Sequence, residues 1–235
     1  MKGIVLDKKA RRYMPLPDIN FRKIEEKFAV RIFNRSRFGC TVTKGLAMLR
    51  KFLEKEQECD CVLLEYGGND CNFKWEEVAA HPDKEHKPAT ELPVFKDMLR
   101  EMVNLLKRYG IRPVMMTLPP VDAEKYLAFM ADKGLNTENI LAWLGDAQMI
   151  YRYQELYSAQ VAALAEETGS PLVDVRRLFL DKTHPHPYKR LICDDGIHPS
   201  AEGHELIYQA FDQFMKQKDV NGVSTQPINE SKTAV

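Results

Sequence analysis

The sequence predicts an α/β fold in which a parallel β-sheet is covered by helices on both faces. Short β-rich runs alternate along the chain with longer patterns that have the period of an amphipathic helix. Parallel strands need a crossover connection, and this alternation is typical of such β-α-β units. With 235 residues, 44% hydrophobic and 29% charged, the chain has the size and composition of one globular domain.

Four apolar runs are predicted to be buried strands. Each is short, as expected for a strand, and each is separated from the next by a helical pattern. In chain order the strands are predicted at Ala29–Phe33, Cys61–Tyr66, Pro113–Thr117 and Pro171–Val175.

Four segments carry apolar residues at steps of three and four, which predicts helices that bury one face. In the second of them Leu99, Val103 and Leu106 fall on the same side. Gly110 and Gly169 come directly after the second and third patterns, where a left-handed residue commonly ends a helix. The helices are predicted at Thr41–Phe52, Leu92–Tyr109, about Met149–Glu167 and Ser200–Met215.

The connection from Leu118 to Gln148 is much longer than the ~2 to 6 residues usual after a strand in an α/β unit. It is predicted to fold as one or two short helices at the edge of the sheet where α/β folds bind ligands. We interpret it as a lid or a wall of the substrate pocket, and a purely structural insertion is the alternative. The domain is predicted to span residues 1–216, and the polar, aperiodic residues 217–235 are predicted to be a disordered tail.

The charge balance and the cysteines limit the class of protein. The 34 basic residues equal the 34 acidic ones, so neither a nucleic-acid partner nor a membrane partner is expected. Five cysteines without paired spacing, and no apolar run of ~20 residues or secretory signal, predict reduced thiols in a cytoplasmic protein. No cofactor is expected, because no nucleotide-binding loop occurs. No metal is expected either, since the run around His184 and His186 lacks a carboxylate or cysteine partner.

The segment Asp194–Ser200 is the first candidate for chemistry. His198 is a candidate general base, and Asp195, three positions earlier across a turn that contains Gly196, can hold its other ring nitrogen. The alternative is a surface loop in which Asp195 caps a turn and His198 is solvated.

Two further loops can supply donors to a developing negative charge. In Glu65–Asp70, two glycines allow a sharp turn, and the Asn69 side-chain amide can donate to an oxyanion. In Phe33–Thr41, the backbone N–H of Gly39 can do the same. The alternative for Glu65–Asp70, taken alone, is a simple turn. The alternative for Phe33–Thr41 is an ordinary loop between a strand and a helix.

In their order and spacing, the runs Gly67-Gly68-Asn69-Asp70 and Asp195-Gly196-Ile197-His198-Pro199-Ser200 and the loop with Gly39 resemble conserved blocks of the SGNH, or GDSL-type, serine esterases and acylhydrolases. The resemblance covers residues 3 to about 214. It implies a flavodoxin-like three-layer α/β/α sandwich. It also implies that His198 is the general base, Asp195 its orienting carboxylate, and Gly39 and Asn69 the oxyanion donors.

The sequence departs from this family at its start. The family's first strand ends in Gly-Asp-Ser, whereas Lys2-Gly3-Ile4-Val5 resembles the continuation of that block, so the strand and the nucleophilic serine are expected before Met1. Three explanations remain open: a start placed too late, a pseudoenzyme, or a substitute nucleophile. Ser36, Cys40 and Cys71 are the candidates for the last of these.

The resemblance therefore implies an ester hydrolase for a small-molecule substrate with a small or carbohydrate-linked acyl group. Its serine would lie upstream of this chain, and the chain as printed would be impaired. The alternative is a non-catalytic binding module on the same fold.

Overall fold

A computed structural model of the protein describes residues 4–7, 12–16, 21–55, 59–181 and 190–220. An antiparallel hairpin, β1 (Ile4–Asp7) and β2 (Arg12–Pro15), comes first and stands apart from the main sheet. The sheet has three parallel strands in the order β3-β4-β5 within these residues. The strands are β3 (Cys61–Leu64), β4 (Arg112–Met116) and β5 (Leu172–Val173).

The helices lie between and after these strands, as the α/β prediction requires. In chain order they are α1 (Phe21–Phe28), α2 (Val42–Leu53), α3 (Trp75–Ala80), α4 (Leu92–Arg108), α5 (Ala123–Asp132), α6 (Thr137–Leu144), α7 (Gln148–Thr168), α8 (Val175–Asp181) and α9 (Ala201–Val220). None of the helices in the described part of the chain is long and apolar enough to span a membrane.

Alternating side chains of β4 separate two cores, one on each face of the sheet. Met115 packs with α2, α4 and α7 on one face, whereas Val114 and Met116 pack with α8 and α9 on the other. Because successive side chains of a strand point to opposite faces, this alternation places the sheet between two helical layers. The three-layer α/β/α arrangement predicted from the sequence is therefore confirmed.

One predicted strand is wrong. Residues Ala29–Phe33 form no strand: α1 ends at Phe28, Ala29 has a φ of 49°, and residues 30–37 have no regular structure. A run of β-forming residues becomes a strand only where a neighbour accepts and donates its backbone hydrogen bonds. No strand in the described ranges pairs with this run, and β3 is the outer strand of the sheet there.

Several element ends differ from the sequence prediction. Strand β5 has two residues, since Val175 already begins α8. Helix α9 continues to Val220, so residues 217–220, which were predicted to be disordered, are helical. The rest of the predicted tail, and residues 1–3 where the resemblance to the family begins, lie outside the described residues.

The connection from Leu118 to Gln148 contains two helices, α5 and α6, which pack against α3 and α7 around an aromatic cluster. Buried polar contacts tie its beginning to α7 and α8. The Arg176 guanidinium donates to the Leu118 carbonyl (3.3 Å) and to the Gln154 side chain (2.7 Å), and Gln154 donates to the Pro119 carbonyl (2.7 Å). A role as a lid stays a prediction.

Candidate active site

His198 and Asp195 form a hydrogen-bonded pair in a tight turn just before the final helix, α9. The His198 Nδ1 atom lies 2.7 Å from Asp195 Oδ2. Asp195 Oδ1 accepts from the backbone N–H groups of Ile197 and His198, each at 3.0 Å. An ionised carboxylate can only accept, so Nδ1 carries the proton and Nε2 has its lone pair available to act as a base.

The Asp195 carboxyl is completely buried. Burial by itself raises the pKa of this group, but hydrogen bonds from the His198 ring and from the backbone N–H groups of His198 and Ile197 outweigh it. The net pKa of Asp195 therefore lies below its ordinary value. Asp195 is consequently ionised at neutral pH, as an orienting carboxylate must be.

Backbone contacts fix this turn in place. The N–H of Cys193 donates to the His198 carbonyl (2.8 Å), and the N–H of Asp122 donates to the Gly196 carbonyl (2.8 Å). Gly196 has a φ of 77°, and a Cβ atom at this position would lie 2.3 Å from the backbone nitrogen of Tyr126. Only glycine tolerates both the positive φ and the close approach of the Tyr126 backbone. The turn can therefore pack directly against the start of α5.

The two predicted oxyanion loops contact each other. The Asn69 side-chain amide donates to the backbone carbonyl of Cys40 at 3.2 Å. Gly39, which precedes Cys40, has a φ of 65°, and its backbone N–H donates to no other group of the described chain. Because an amide has two N–H bonds, Asn69 retains one donor beyond its bond to Cys40.

The aromatic ring next to Gly39 connects these loops to the histidine. The Phe38 ring lies nearly parallel to the His198 imidazole, with 6.1 Å between ring centroids and 14° between planes. The structure thus brings the Asp195–His198 turn, the Gly39 loop and the Asn69 loop together at one place. This place lies beyond the carboxyl ends of the strands, where open α/β sheets bind ligands.

Sequence reasoning missed two residues of this place. Tyr13, on β2, has its ring centroid 4.8 Å from that of His198. The sequence around Tyr13 did not indicate a functional role, because a tyrosine in a short β-rich run is normally a packing residue. Asp70 was noticed only as part of a turn, yet its buried carboxyl accepts from the backbone N–H groups of Val42 (2.9 Å) and Gly67 (3.0 Å).

The substitute nucleophiles considered from the sequence are poorly placed. The Ser36 hydroxyl donates to Asn34 Oδ1 at 2.5 Å. Burial raises the pKa of the Cys71 thiol to about 12, and burial also raises the pKa of the Cys40 thiol. Both thiols therefore stay protonated near neutral pH. Across the described ranges, no hydroxyl or thiol forms a hydrogen bond with the His198 ring.

No cluster of three or more histidine, cysteine, aspartate or glutamate side chains suited to a metal ion occurs in the described part of the chain. His184 and His186 lie outside it.

Comparison with known proteins places the chain among esterases. The family model of the GDSL-like lipase/acylhydrolase family matches residues 15–206. The isoamyl acetate-hydrolyzing esterase of Saccharomyces cerevisiae is 28% identical over 188 residues, which cover 79% of this chain and 67% of the yeast protein.

Two solved structures share the fold. A variant of Axe2, an acetyl xylan esterase from Geobacillus stearothermophilus, has a TM-score of 0.60 at 22% identity, over 83% of this chain and 76% of its own. LAE5, an alpha/beta hydrolase from the metagenome of Lake Arreo, Spain, has a TM-score of 0.59 at 20% identity, over 83% and 78% of the two chains. Since the family model covers most of the chain, and the paired Asp195 and His198 lie within the matched residues, the protein belongs to the GDSL-like lipase/acylhydrolase family.

Proposed function

We propose that this protein hydrolyses carboxylic esters of small acyl groups, with His198 as the general base and Asp195 as its orienting carboxylate. The nucleophile in this proposal is a serine from the Gly-Asp-Ser block expected before Met1. The observation that carries the proposal is a series of contacts. The protonated Nδ1 of His198 faces Asp195, the loop of Gly39 reaches the same imidazole through Phe38, and the Asn69 amide donates to Cys40 of that loop.

Each group has one task in the reaction. The serine oxygen attacks the ester carbonyl while Nε2 of His198 takes the hydroxyl proton. The Gly39 N–H and the second amide N–H of Asn69 donate to the carbonyl oxygen as it becomes negative. When the tetrahedral intermediate collapses, the C–O bond to the alcohol breaks and Nε2 returns the proton to the departing alcohol. Water then attacks the acyl-serine by the same route, which releases the acid and restores the serine.

The position of the carboxylate supports this division of tasks. Asp195 is buried and ionised, so it stabilises the imidazolium that forms when Nε2 accepts a proton. The Gly39 N–H has no partner in the described chain, as expected of a donor kept for a ligand.

The names of the relatives support a small acyl group. The yeast relative hydrolyses isoamyl acetate, and the bacterial structure is an acetyl xylan esterase. Both esters carry an acetyl group, whereas the alcohols are a branched alkanol and a polysaccharide. We therefore propose acetyl esters as the substrate class and leave the alcohol open.

The nature of the nucleophile is supported by the same bacterial esterase. Its catalytic mutants replace a serine, an aspartate or a histidine by alanine, and the aspartate and histidine are three residues apart, as Asp195 and His198 are.

The proposal is tested with 4-nitrophenyl acetate and 4-nitrophenyl octanoate. Two proteins are compared: the chain as printed, and a chain extended before Met1 by a strand-forming segment that ends in Gly-Asp-Ser. We expect turnover of the acetate by the extended chain, weaker turnover of the octanoate, and an acetyl adduct on the serine in the intact mass. His198→Gln in the extended chain should remove turnover, whereas His81→Gln, at an exposed histidine after α3, should not.

A non-catalytic binding module on the same fold is the competing function. It is favoured by the lack of a hydroxyl or thiol bonded to His198 in the described residues. An extended chain that folds but neither turns over the esters nor acquires an acetyl adduct would support the binding module and contradict the hydrolase.

A further inference from the structure

The β1–β2 hairpin lies against the Asp195–His198 pair. Its Tyr13 ring is 4.8 Å from the imidazole of His198 and 5.7 Å from the ring of Phe38, centroid to centroid. With the 6.1 Å between Phe38 and His198, the three distances form a compact triangle. The two aromatic rings therefore lie on the same side of the imidazole and form a continuous wall, which we call the Tyr13–Phe38 wall.

The hairpin contacts the histidine turn at a second point. The backbone N–H of Leu6, which pairs with Tyr13 in the hairpin, donates to the Cys193 thiol two residues before Asp195. Because the two strands pair in antiparallel register at four positions, Tyr13 lies on a regular element rather than in a loop. A side chain held in this way can restrict its neighbour.

The exposure of these groups shows what the wall covers. Tyr13 is 36% exposed and Phe38 61%, so both rings have one face in solvent. The His198 side chain behind them is 24% exposed, and the Asp195 side chain is not exposed at all. Burial raises the pKa of the Tyr13 hydroxyl, and the negative charge of nearby Asp195 and a hydrogen bond from the hydroxyl to that carboxylate raise it further. The hydroxyl is therefore neutral and remains near the carboxylate without competing as a base.

We infer that Tyr13 is a positioning residue for His198: together with Phe38, its ring keeps the imidazole in the orientation that points Nδ1 at Asp195 and keeps water away from that hydrogen bond. This inference rests on the proposed function, in which His198 is the general base. An imidazole can rotate about its bond to Cβ, and a single hydrogen bond that water can reach does not hold it firmly. A ring packed against the imidazole opposes the rotation and excludes the competing water molecule.

The experiment follows the Nδ1 proton of His198 by NMR in the chain as printed, labelled with ¹⁵N in its histidines. His198→Gln assigns the resonance by removing it. We expect the parent chain to show a proton on Nδ1 that exchanges slowly with water. In Tyr13→Ala its exchange rate should rise on the order of tenfold, because the bond is then open to solvent. Tyr13→Phe keeps the ring and should restore the slow exchange.

The matched control is Tyr109→Ala, which removes an equally large ring from the exposed end of α4. Tyr109 lies at the amino ends of the strands, away from the histidine turn. This change should leave the exchange rate unchanged. Phe38→Ala should raise the rate less than Tyr13→Ala, because Phe38 lies further from the imidazole.

Three results would overturn the inference: no slowly exchanging Nδ1 proton in the parent chain, an unchanged rate in Tyr13→Ala, or a rate in Tyr13→Phe as fast as in Tyr13→Ala. The last would assign the effect to the hydroxyl. The NMR measurement needs no nucleophile, so it separates the two proposals. If the extended chain shows a slowly exchanging Nδ1 proton but no esterase activity, the proposed function is contradicted. The positioning role of Tyr13 is then still supported.

Discussion

The carboxyl of Asp70 joins the two loops that carry the predicted oxyanion donors. Its Oδ1 accepts the backbone N–H of Val42, at the start of α2 just beyond the Gly39 loop, at 2.9 Å. Its Oδ2 accepts the N–H of Gly67, at the start of the Asn69 loop, at 3.0 Å. One buried side chain thus sets the distance between the two loops, and the Asn69 amide then bonds to Cys40 across them.

Asp70→Asn should destabilise the fold by about 1 to 3 kcal/mol, because the new amide nitrogen must face one of two backbone donors and leaves it without an acceptor. The opposing effect is smaller: burial raises the pKa of the Asp70 carboxyl, so its charge costs stability, but hydrogen bonds from Val42, Thr90 and Gly67 offset much of that cost. Urea unfolding followed by tryptophan fluorescence measures the difference.

The control for Asp70 is Asp97→Asn, at a carboxylate whose side chain is 79% exposed and paired with Arg100 on the surface. That change should stay within about 0.5 kcal/mol. Equal effects at the two positions would mean that Asp70 does not link the loops.

The stability contributed by Asp195 should be lost in acid. Its folded-state pKa lies below the ordinary value, so its contribution is present above the unfolded-state pKa of about 3.9 and disappears as the pH falls through the folded-state pKa. The difference in unfolding free energy between the parent and Asp195→Asn should therefore be full well above the unfolded-state pKa and should shrink below about pH 4. Urea unfolding at a series of pH values tests this, and a difference independent of pH would contradict the ionised, hydrogen-bonded state of Asp195.

Gly196→Ala should cost about 2 to 4 kcal/mol and loosen the histidine turn, because the new Cβ meets backbone atoms of Asp122 and Tyr126 that cannot move aside. Gly134→Ala is the matched control, since Gly134 also has a positive φ, of 83°, but no atom within 4 Å of the added Cβ. Its cost should be about 1 kcal/mol, from backbone conformation alone. Thermal unfolding of both variants gives the comparison; similar costs would show that the turn does not pack tightly on α5.

Gly45→Ala should destabilise the protein even though alanine is the better helix former. A Cβ at Gly45, in α2, would lie 2.2 Å from the hydroxyl oxygen of Tyr66 and 2.3 Å from its Cζ atom. Overpacking costs about 1 to 3 kcal/mol, and the gain in helix propensity is about 1 kcal/mol. In a Tyr66→Leu background the clash is absent, so there the same change should be neutral or stabilising. A loss of equal size in both backgrounds would contradict the packing argument.

Much of the site could be predicted because its parts are local. Asp195, Gly196 and His198 lie within four residues, so the hydrogen bond between the side chains depends mainly on one turn, and the sequence shows the turn through its glycine. Asn69 was predicted to follow a strand, and β3 does form there. Gly39 was predicted to follow the run Ala29–Phe33, which forms no strand, so the contact between its loop and Asn69 comes from the tertiary structure.

The features that the sequence did not predict depend on contacts between residues that are distant in sequence. Ala29–Phe33 has the composition of a strand, but strand formation requires a hydrogen-bonded partner, which the described chain does not supply. Tyr13 reaches His198 only because the hairpin folds back over the final turn, and no local pattern encodes that approach.

By itself, the sequence determined the α/β class, the three strands of the main sheet, the four longest helices, and the candidates for the base, its orienting carboxylate and the oxyanion donors. Periodic burial and turn chemistry act over a few residues and therefore remain readable along the chain. Only the tertiary structure decided which apolar run found a strand partner, which carboxyl joined the two oxyanion loops and which aromatic ring covered the histidine. Those contacts arise between segments that are far apart in sequence, and packing of the whole domain brings them together.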